Sequence, residues 1–401
     1  MRAPKLTRRS FFKATAAGTA AAAAVGILAG CTHASEETTD SDPVVVDADS
    51  AVSVTDAFES VSTTLEAAST WTIPLGSVLR PAEGSWIPVT TAGSSATPMV
   101  KGSALSLASG AISEVVSAPV GGAAMMVIYD VRCSDAAYAW VELDLATRDW
   151  TLYAAAFSGG TLTGETSTLW QGTSDYDPAP FAVSGSSVVW QVQPAASGTK
   201  TAEHSFCYLW HLGDASAQSV VESPGRFATR PEVSGDAVVL APRVRASEGV
   251  YYGVTAYSLS DDLATKLDQL VMPVTVKPFR ATRVGERLCV SVEANYGSGG
   301  LLGQMGTYLG TSAGGFARVA LEPSECCCGK GDVFVIKSSS SYLVVDLANQ
   351  TYASLPAADR VVDYGEFPAR AGDCDLFVSF STVKDASTGY PASVTVRTFQ
   401  L

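Results

Sequence analysis

Histidine is scarce in this chain, with three in 401 residues, and that scarcity narrows the chemistry. His33 lies in a polar N-terminal stretch, which leaves His204 and His211 in the part that reads as folded. They flank one predicted strand, and an odd separation along a strand turns two side chains to opposite faces, so the pair does not share a metal ion or a proton relay. No His-x-x-x-His pair, phosphate-binding P-loop or dinucleotide-binding glycine string is present, and no metal or cofactor is expected. Basic side chains are also few: 26 Lys and Arg stand against 40 Asp and Glu, for a net charge of −14. That sign argues against a nucleic-acid partner, whose phosphates call for matching cations. Beyond residue 30 there is no run of about 18 apolar residues, so no membrane-spanning helix is expected in the body of the chain.

The N-terminus reads as an address. Thr7-Arg8-Arg9-Ser10-Phe11-Phe12-Lys13, an Ala-rich run and Leu28-Ala29-Gly30-Cys31 follow one another. The first string resembles a twin-arginine export signal, directed by Arg8 and Arg9, and the last resembles a lipobox whose cysteine is lipidated. The run between them is short for a membrane span and is interrupted by Gly18, Gly26 and Gly30. These resemblances imply that residues 1–30 are removed and that Cys31 anchors the protein to the outer face of the cell membrane. The removed segment carries five basic residues and no acid, so 21 basic side chains remain against 40 acidic ones. So acidic a chain gains nothing from anionic lipid, which leaves the acyl chains on Cys31 as the attachment to the bilayer. Residues 31–50 are polar and acidic and read as a flexible tether. The folded domain is expected over 51–401.

A repeat organises that domain. Turn-forming positions at 84, 135, 185, 235, 285, 331 and 372 each open a β-rich run, with steps of 51, 50, 50, 50, 46 and 41 residues. A period of this size with several short strands per unit predicts an all-β protein, a β-propeller of seven four-stranded blades. The third unit's strands are expected at Pro180–Ser184, Ser187–Gln193, Ser205–Leu212 and Gln218–Glu222. In the fourth they fall at Arg230–Ser234, Ala237–Arg243, Tyr251–Leu259 and Ala264–Leu270. After Gly372 there is room for only two strands, so Trp71–Leu75 is expected to supply the missing outer strand and close the ring.

Arg230-Pro231-Glu232-Val233-Ser234-Gly235-Asp236-Ala237-Val238-Val239 is similar to the repeat of the TolB-type, WD-like β-propellers, in which a Pro and a Ser–Gly/Asp turn precede an apolar strand. Pro180-Phe181-Ala182-Val183-Ser184-Gly185 follows the same pattern, and Tyr342-Leu343-Val344-Val345-Asp346-Leu347 resembles that family's third strand. The resemblance implies the fold and a habit of binding other molecules, and brings no catalytic residues with it.

First strands line the channel of a propeller, and here they contain or adjoin Arg80, Arg132, Arg230, Arg280, Arg283 and Arg370. Guanidinium groups pair with oxyanions in fork geometry, so a basic funnel for an anionic ligand is expected, with Arg230, Arg280 and Arg283 at its centre. The long loops Gly172–Pro178, Pro194–His204, Glu293–Gly306 and Val383–Pro391 should share one face, bringing Asp175, Tyr176, Asp177, Tyr296 and Tyr390 to the ligand or partner. Gly310-Thr311-Ser312-Ala313-Gly314 matches the nucleophile string of hydrolases but lies between two predicted strands, so it reads as a hairpin turn. Cys374 and one member of Cys326-Cys327-Cys328 are placed to bridge two blades, with Cys328 the chosen partner. Two functions stay open: a protein that binds a partner protein, a glycan or a small anion, and a propeller lyase or hydrolase acting on an acidic carbohydrate at the channel mouth.

Overall fold

The turn positions of the repeat are where the chain reverses. Ser184 pairs with Ser187, Ser234 with Ala237, Val284 with Arg287 and Lys330 with Val333, each across a two-residue loop. Such hairpins need a left-handed residue first in the loop, and Gly235 and Gly285 supply it at φ +59° and +56°. In the computed structural model, residues 51–92, 99–245, 247–273, 276–293, 305–321, 325, 327–362 and 365–401 are described. Among them the one α-helix is the single turn Val54–Ala57, and none is long and apolar enough to cross a membrane. Arg8, Arg9, Cys31 and Tyr296 lie outside the described residues.

The described strands form seven sheets, in a β-propeller arrangement. The first holds Ser77–Leu79, Trp86–Thr91, Lys101–Ser106 and Ile112–Val116; the second begins with Met126–Cys133 and ends with Ser167–Gly172. The third is Phe181–Ser184, Ser187–Val192, Ser205–His211 and Gln218–Ser223, within a residue or two of expectation at each end. The fourth opens with Glu232–Ser234, the fifth with Pro278–Val284 and the sixth with Cys328–Lys330. The seventh takes Phe367–Pro368, Leu376–Lys384 and Pro391–Gln400 from the C-terminus, and Ala67–Pro74 from the N-terminal side pairs antiparallel with Pro391–Gln400. The N-terminal closing strand is therefore present.

Alternate residues of one strand go to different interfaces. Val188 and Trp190 pack toward the second sheet, whereas Val189 packs toward the fourth. Val238 and Leu240 face the third sheet and Val239 the fifth. Both faces of a sheet are thus buried, which explains the near-continuous apolar runs and pins the register, since a slip by one residue would exchange every contact. The same pattern runs on through Leu309 with Phe334, Tyr342 with Phe377, and Val396 with Ile87, the last joining the seventh sheet to the first. Tyr138 and Ile128 join the first sheet to the second.

Two features depart from the sequence reading. Gly372 opens no hairpin: Gly372 and Asp373 pair parallel with Cys328 and Gly329 of the sixth sheet, and the Gly372 amide donates to Cys327 O at 3.0 Å. Upstream, Val52–Ser53 and Glu59–Ser60 add to the outer edges of the fifth and sixth sheets, with Val54 fully buried between those sheets. The N-terminal segment therefore straps three successive sheets. Deleting residues 51–74 should strip these edges and expose Val394 and Val396, lowering the melting temperature and promoting self-association. A truncated chain that melts with the full one and stays monomeric in light scattering would remove the strap from the account.

Candidate functional site

First strands of sheets that are not neighbours touch one another, and so they surround a common axis. Asp130 is their meeting point. It accepts from Arg132 Nη1 at 2.6 Å and from Arg230 Nη2 of the fourth sheet at 3.0 Å, and Arg80 Nε of the first sheet stands at 3.5 Å. Asp130 and Arg132 alternate along one strand, which sets both on the same face. Burial pushes the Asp130 carboxyl up, but the three guanidinium groups together outweigh it and hold its pKa below the ordinary value. Arg132 is lowered to about 10, by burial first and then by repulsion from Arg230.

Two connected chambers surround this cluster. A cavity of about 800 Å³ opens among Tyr129, Asp130, Asp177, Gln193, Arg230 and Arg280. Asp177 and Gln193 adjoin two of the long loops, so this chamber belongs to the long-loop face. A second, of about 410 Å³, shares Arg80, Arg230 and Arg280 and adds Glu232, Glu325 and Phe367. Arg230 Nε lies 3.7 Å from Glu232. Arg280 stacks over Phe279 at 4.4 Å, donates to the Phe279 carbonyl, and has no carboxylate within ion-pair distance among the described residues. The Glu325 carboxyl is raised by burial, against the pull of Arg280. Arg80, Arg230 and Arg280 line both chambers.

The other end of the axis is closed. Beyond the second chamber the space narrows to about 20 Å³ between Arg132, Glu232 and Glu83. Glu83, just past the first strand of the first sheet, reaches across to accept from Ser184 Oγ at 2.8 Å and from the Gly235 amide at 3.0 Å. Asp373 accepts from the Gly285 amide at 2.8 Å, and the Arg370 guanidinium donates to the carbonyls of Ala82 and Gly84. Loops from the first and seventh sheets are thereby tied to the third, fourth and fifth. The result is a basic funnel bordered by Asp177 and Gln193 beside two of the long loops.

The structure brings Arg230 and Arg280 together and leaves Arg283 out. It lies three positions after Arg280, an odd offset that turns it to the other face of the strand, and it lines neither chamber. Asp177 stands at the rim, tied to Arg226 at 2.6 Å. Asp175 is off the chambers, 3.5 Å from Lys200, which also covers the Tyr176 ring. Sequence reasoning missed Asp130, Glu232 and Glu325. Only Asp130 left a signal, two residues before Arg132 on the same strand.

Outside the axis, Ser187 Oγ lies 2.8 Å from His211 Nδ1, and His211 Nε2 lies 3.0 Å from Asp262 of the fourth sheet. This serine–histidine–aspartate chain links two sheets at the rim, and none of the cavities described here adjoins it. His204 pairs separately with Glu222 at 2.5 Å. The Gly310–Gly314 string turns between two antiparallel strands, Gly306–Thr311 and Gly314–Val319, so it lacks the strand-to-helix turn of a nucleophile elbow.

The sequence matches no protein-family model and no curated protein. Among solved structures, the chain is similar to the β-propeller domain of the Trilobed protease from Pyrococcus furiosus, at 9% identity over 80% of this chain and 95% of that one, with a TM-score of 0.52. That domain has an open velcro topology. It is also similar to the uncomplexed acylaminoacyl peptidase of Pyrococcus horikoshii, at 11% identity over 82% of this chain and 53% of that one, with a TM-score of 0.50. This chain thus spans about half the length of that peptidase. At such identities the likeness establishes the β-propeller fold, and chemistry has to be argued from the site.

Replacing Asp130 by Asn would leave three guanidinium groups facing one another, an expected loss of about 3–5 kcal/mol, as for other buried pairs broken on one side. A carboxyl whose folded pKa lies below its unfolded one adds stability above the unfolded value and loses it as pH falls through the folded value. Wild-type stability should therefore decline below about pH 4, more steeply than that of Asp130→Asn. Urea titrations across pH check this, and parallel profiles for the two proteins would contradict it.

Proposed function

We propose that this chain is an exported lipoprotein of the TolB-type, WD-like kind, whose seven sheets are the seven blades of one closed ring, and that its funnel binds a small anion or an acidic glycan from the long-loop face. One observation carries the ligand class: Arg280, without a carboxylate partner among the described residues, faces the same two chambers as Arg80 and Arg230. An oxyanion there would complete a guanidinium pairing that the protein leaves open. A partner protein presenting an acidic side chain would use the same chemistry. The ring is supported by apolar clusters that join each sheet to the next and the seventh to the first, and an experimental structure with another blade count would refute it.

Glu325 supports an enzymatic variant of this reading. A carboxyl whose pKa burial raises, standing beside Arg280, could act as a general acid toward an acidic sugar held there. Depolymerisation of an acidic oligosaccharide by wild type and not by Glu325→Gln would favour the lyase or hydrolase; intact substrate with measurable binding would favour the binding protein.

Citrate and a galacturonate oligosaccharide, titrated calorimetrically, test the ligand class. Arg280→Ala should weaken binding about tenfold or more, since a charged hydrogen bond is worth roughly 1.5–3 kcal/mol, with little change in melting temperature. Arg287→Ala, which removes a half-exposed partner of Asp332 at the other end of the ring, is the control. Equal binding by the two variants would overturn the funnel as the site. For the address, Cys31→Ser should release the protein from the membrane fraction, and Arg8→Lys with Arg9→Lys should retain the precursor in the cytoplasm. Unchanged fractionation of both would contradict it.

A further inference from the structure

On the closed side of the ring, Cys374 lines a cavity of about 830 Å³ together with Lys330, Arg370 and Asp373. It lies just before the seventh sheet's Leu376–Lys384, and its backbone is fastened to the sixth sheet: the Cys374 amide donates to Gly329 O at 2.8 Å, and Cys328 is in register with Gly372. Cys328 is fully buried beneath it, and Cys374 packs against the same cluster. Cys133 and Cys207 are buried in other interfaces, where burial pushes their thiols up. The Cys328–Cys374 pair thus joins two neighbouring thiols, one open to a cavity and one covered.

We propose that Cys328 and Cys374 form a thiol–disulfide exchange site for small disulfides and dithiols, with Cys374 the attacking thiol and Cys328 the resolving one. This is independent of the anion reading, which concerns the other end of the ring. The Cys374 thiolate attacks one sulfur of a disulfide, that S–S bond breaks, and one thiolate leaves with the electron pair. Cys328 then gives its proton to solvent, its sulfur attacks the Cys374 sulfur, and the second thiolate departs. Two protein thiols are oxidised, one disulfide is reduced to two thiols, and the sixth sheet becomes cross-linked to the segment leading into the seventh. The electrostatics run the same way. The neighbouring Cys328 thiol, then the Arg370 charge and the Gly329 backbone, lower the Cys374 thiol against the effect of burial, while Cys374 and burial raise Cys328.

The full chain, reduced with dithiothreitol without unfolding and then exposed to glutathione disulfide, tests this. Peptide mass spectrometry with fragmentation should find a Cys328–Cys374 cross-link in the wild type, with no glutathione retained. Cys328→Ser should accumulate a glutathione adduct at Cys374, whereas Cys374→Ser should show none at Cys328. The cross-linked wild type should melt higher than its reduced form, with no such shift in either variant. A wild type whose thiols all remain alkylatable after glutathione disulfide would overturn the proposal, and so would a cross-link from Cys374 to Cys326 or Cys327. A bridge that dithiothreitol cannot open in the folded protein would make the pair a static staple and refute exchange.

Discussion

Burial of both faces of every sheet is the constraint on which the rest depends. A sheet with apolar residues at successive positions, as in Val188-Val189-Trp190 or Val238-Val239-Leu240, has no face to offer water, so each needs two neighbours. A row of such sheets would end with two exposed faces; Val396 packed with Ile87 shows how the ends meet. The seventh sheet takes three strands from residues 367–400, which leaves its outer edge to another part of the chain. Ala67–Pro74 fills that edge, and the strap before it covers two more edges that would otherwise present unpaired amides.

Closure has a chemical consequence at the axis, where the first strands converge and no further apolar layer fits. The polar residues they carry must satisfy one another across the ring, and they do so unequally. At the narrow end Glu83, Asp373 and Arg370 spend their hydrogen bonds on backbone groups and hydroxyls of other sheets, closing the passage. At the wide end Arg80, Arg132 and Arg230 gather on a single aspartate, and Arg280 has no carboxylate at ion-pair distance among the described residues. Cross-sheet ties and the arginine cluster are therefore separated along one axis, and a net-acidic protein gathers basic side chains there.

The hairpin turns were legible because the special backbone conformation they require falls to Gly at a steady period, as at Gly185, Gly235 and Gly285. The strands between them followed from alternation. The strap was not legible: Val52–Ser53 and Glu59–Ser60 are two residues each, too short for any periodicity, and they are held by parallel pairing to strands more than 250 residues away. Gly372 carried the turn signal of the repeat but answers to the sixth sheet instead. Arg230 and Arg280, expected at the axis from their place at first strands, line the chambers, whereas Arg283, expected there by the same rule, is turned away by strand parity. The strand is regular from Arg280 to Arg283, so the odd spacing of the two residues already set them on opposite faces. His211 and Asp262 stand 51 residues apart, one repeat, so contacts between equivalent turns of adjacent units offer a signal that a search along the chain overlooks.

The central claim is that one end of this ring is a basic funnel able to hold an oxyanion. A crystal structure of the protein with citrate at a saturating concentration tests it most directly. The account predicts carboxylate density bridging Arg230 and Arg280, reached from the long-loop face. Citrate seated in the cavity beside Cys374, or a funnel left empty while citrate binds in solution, would contradict it.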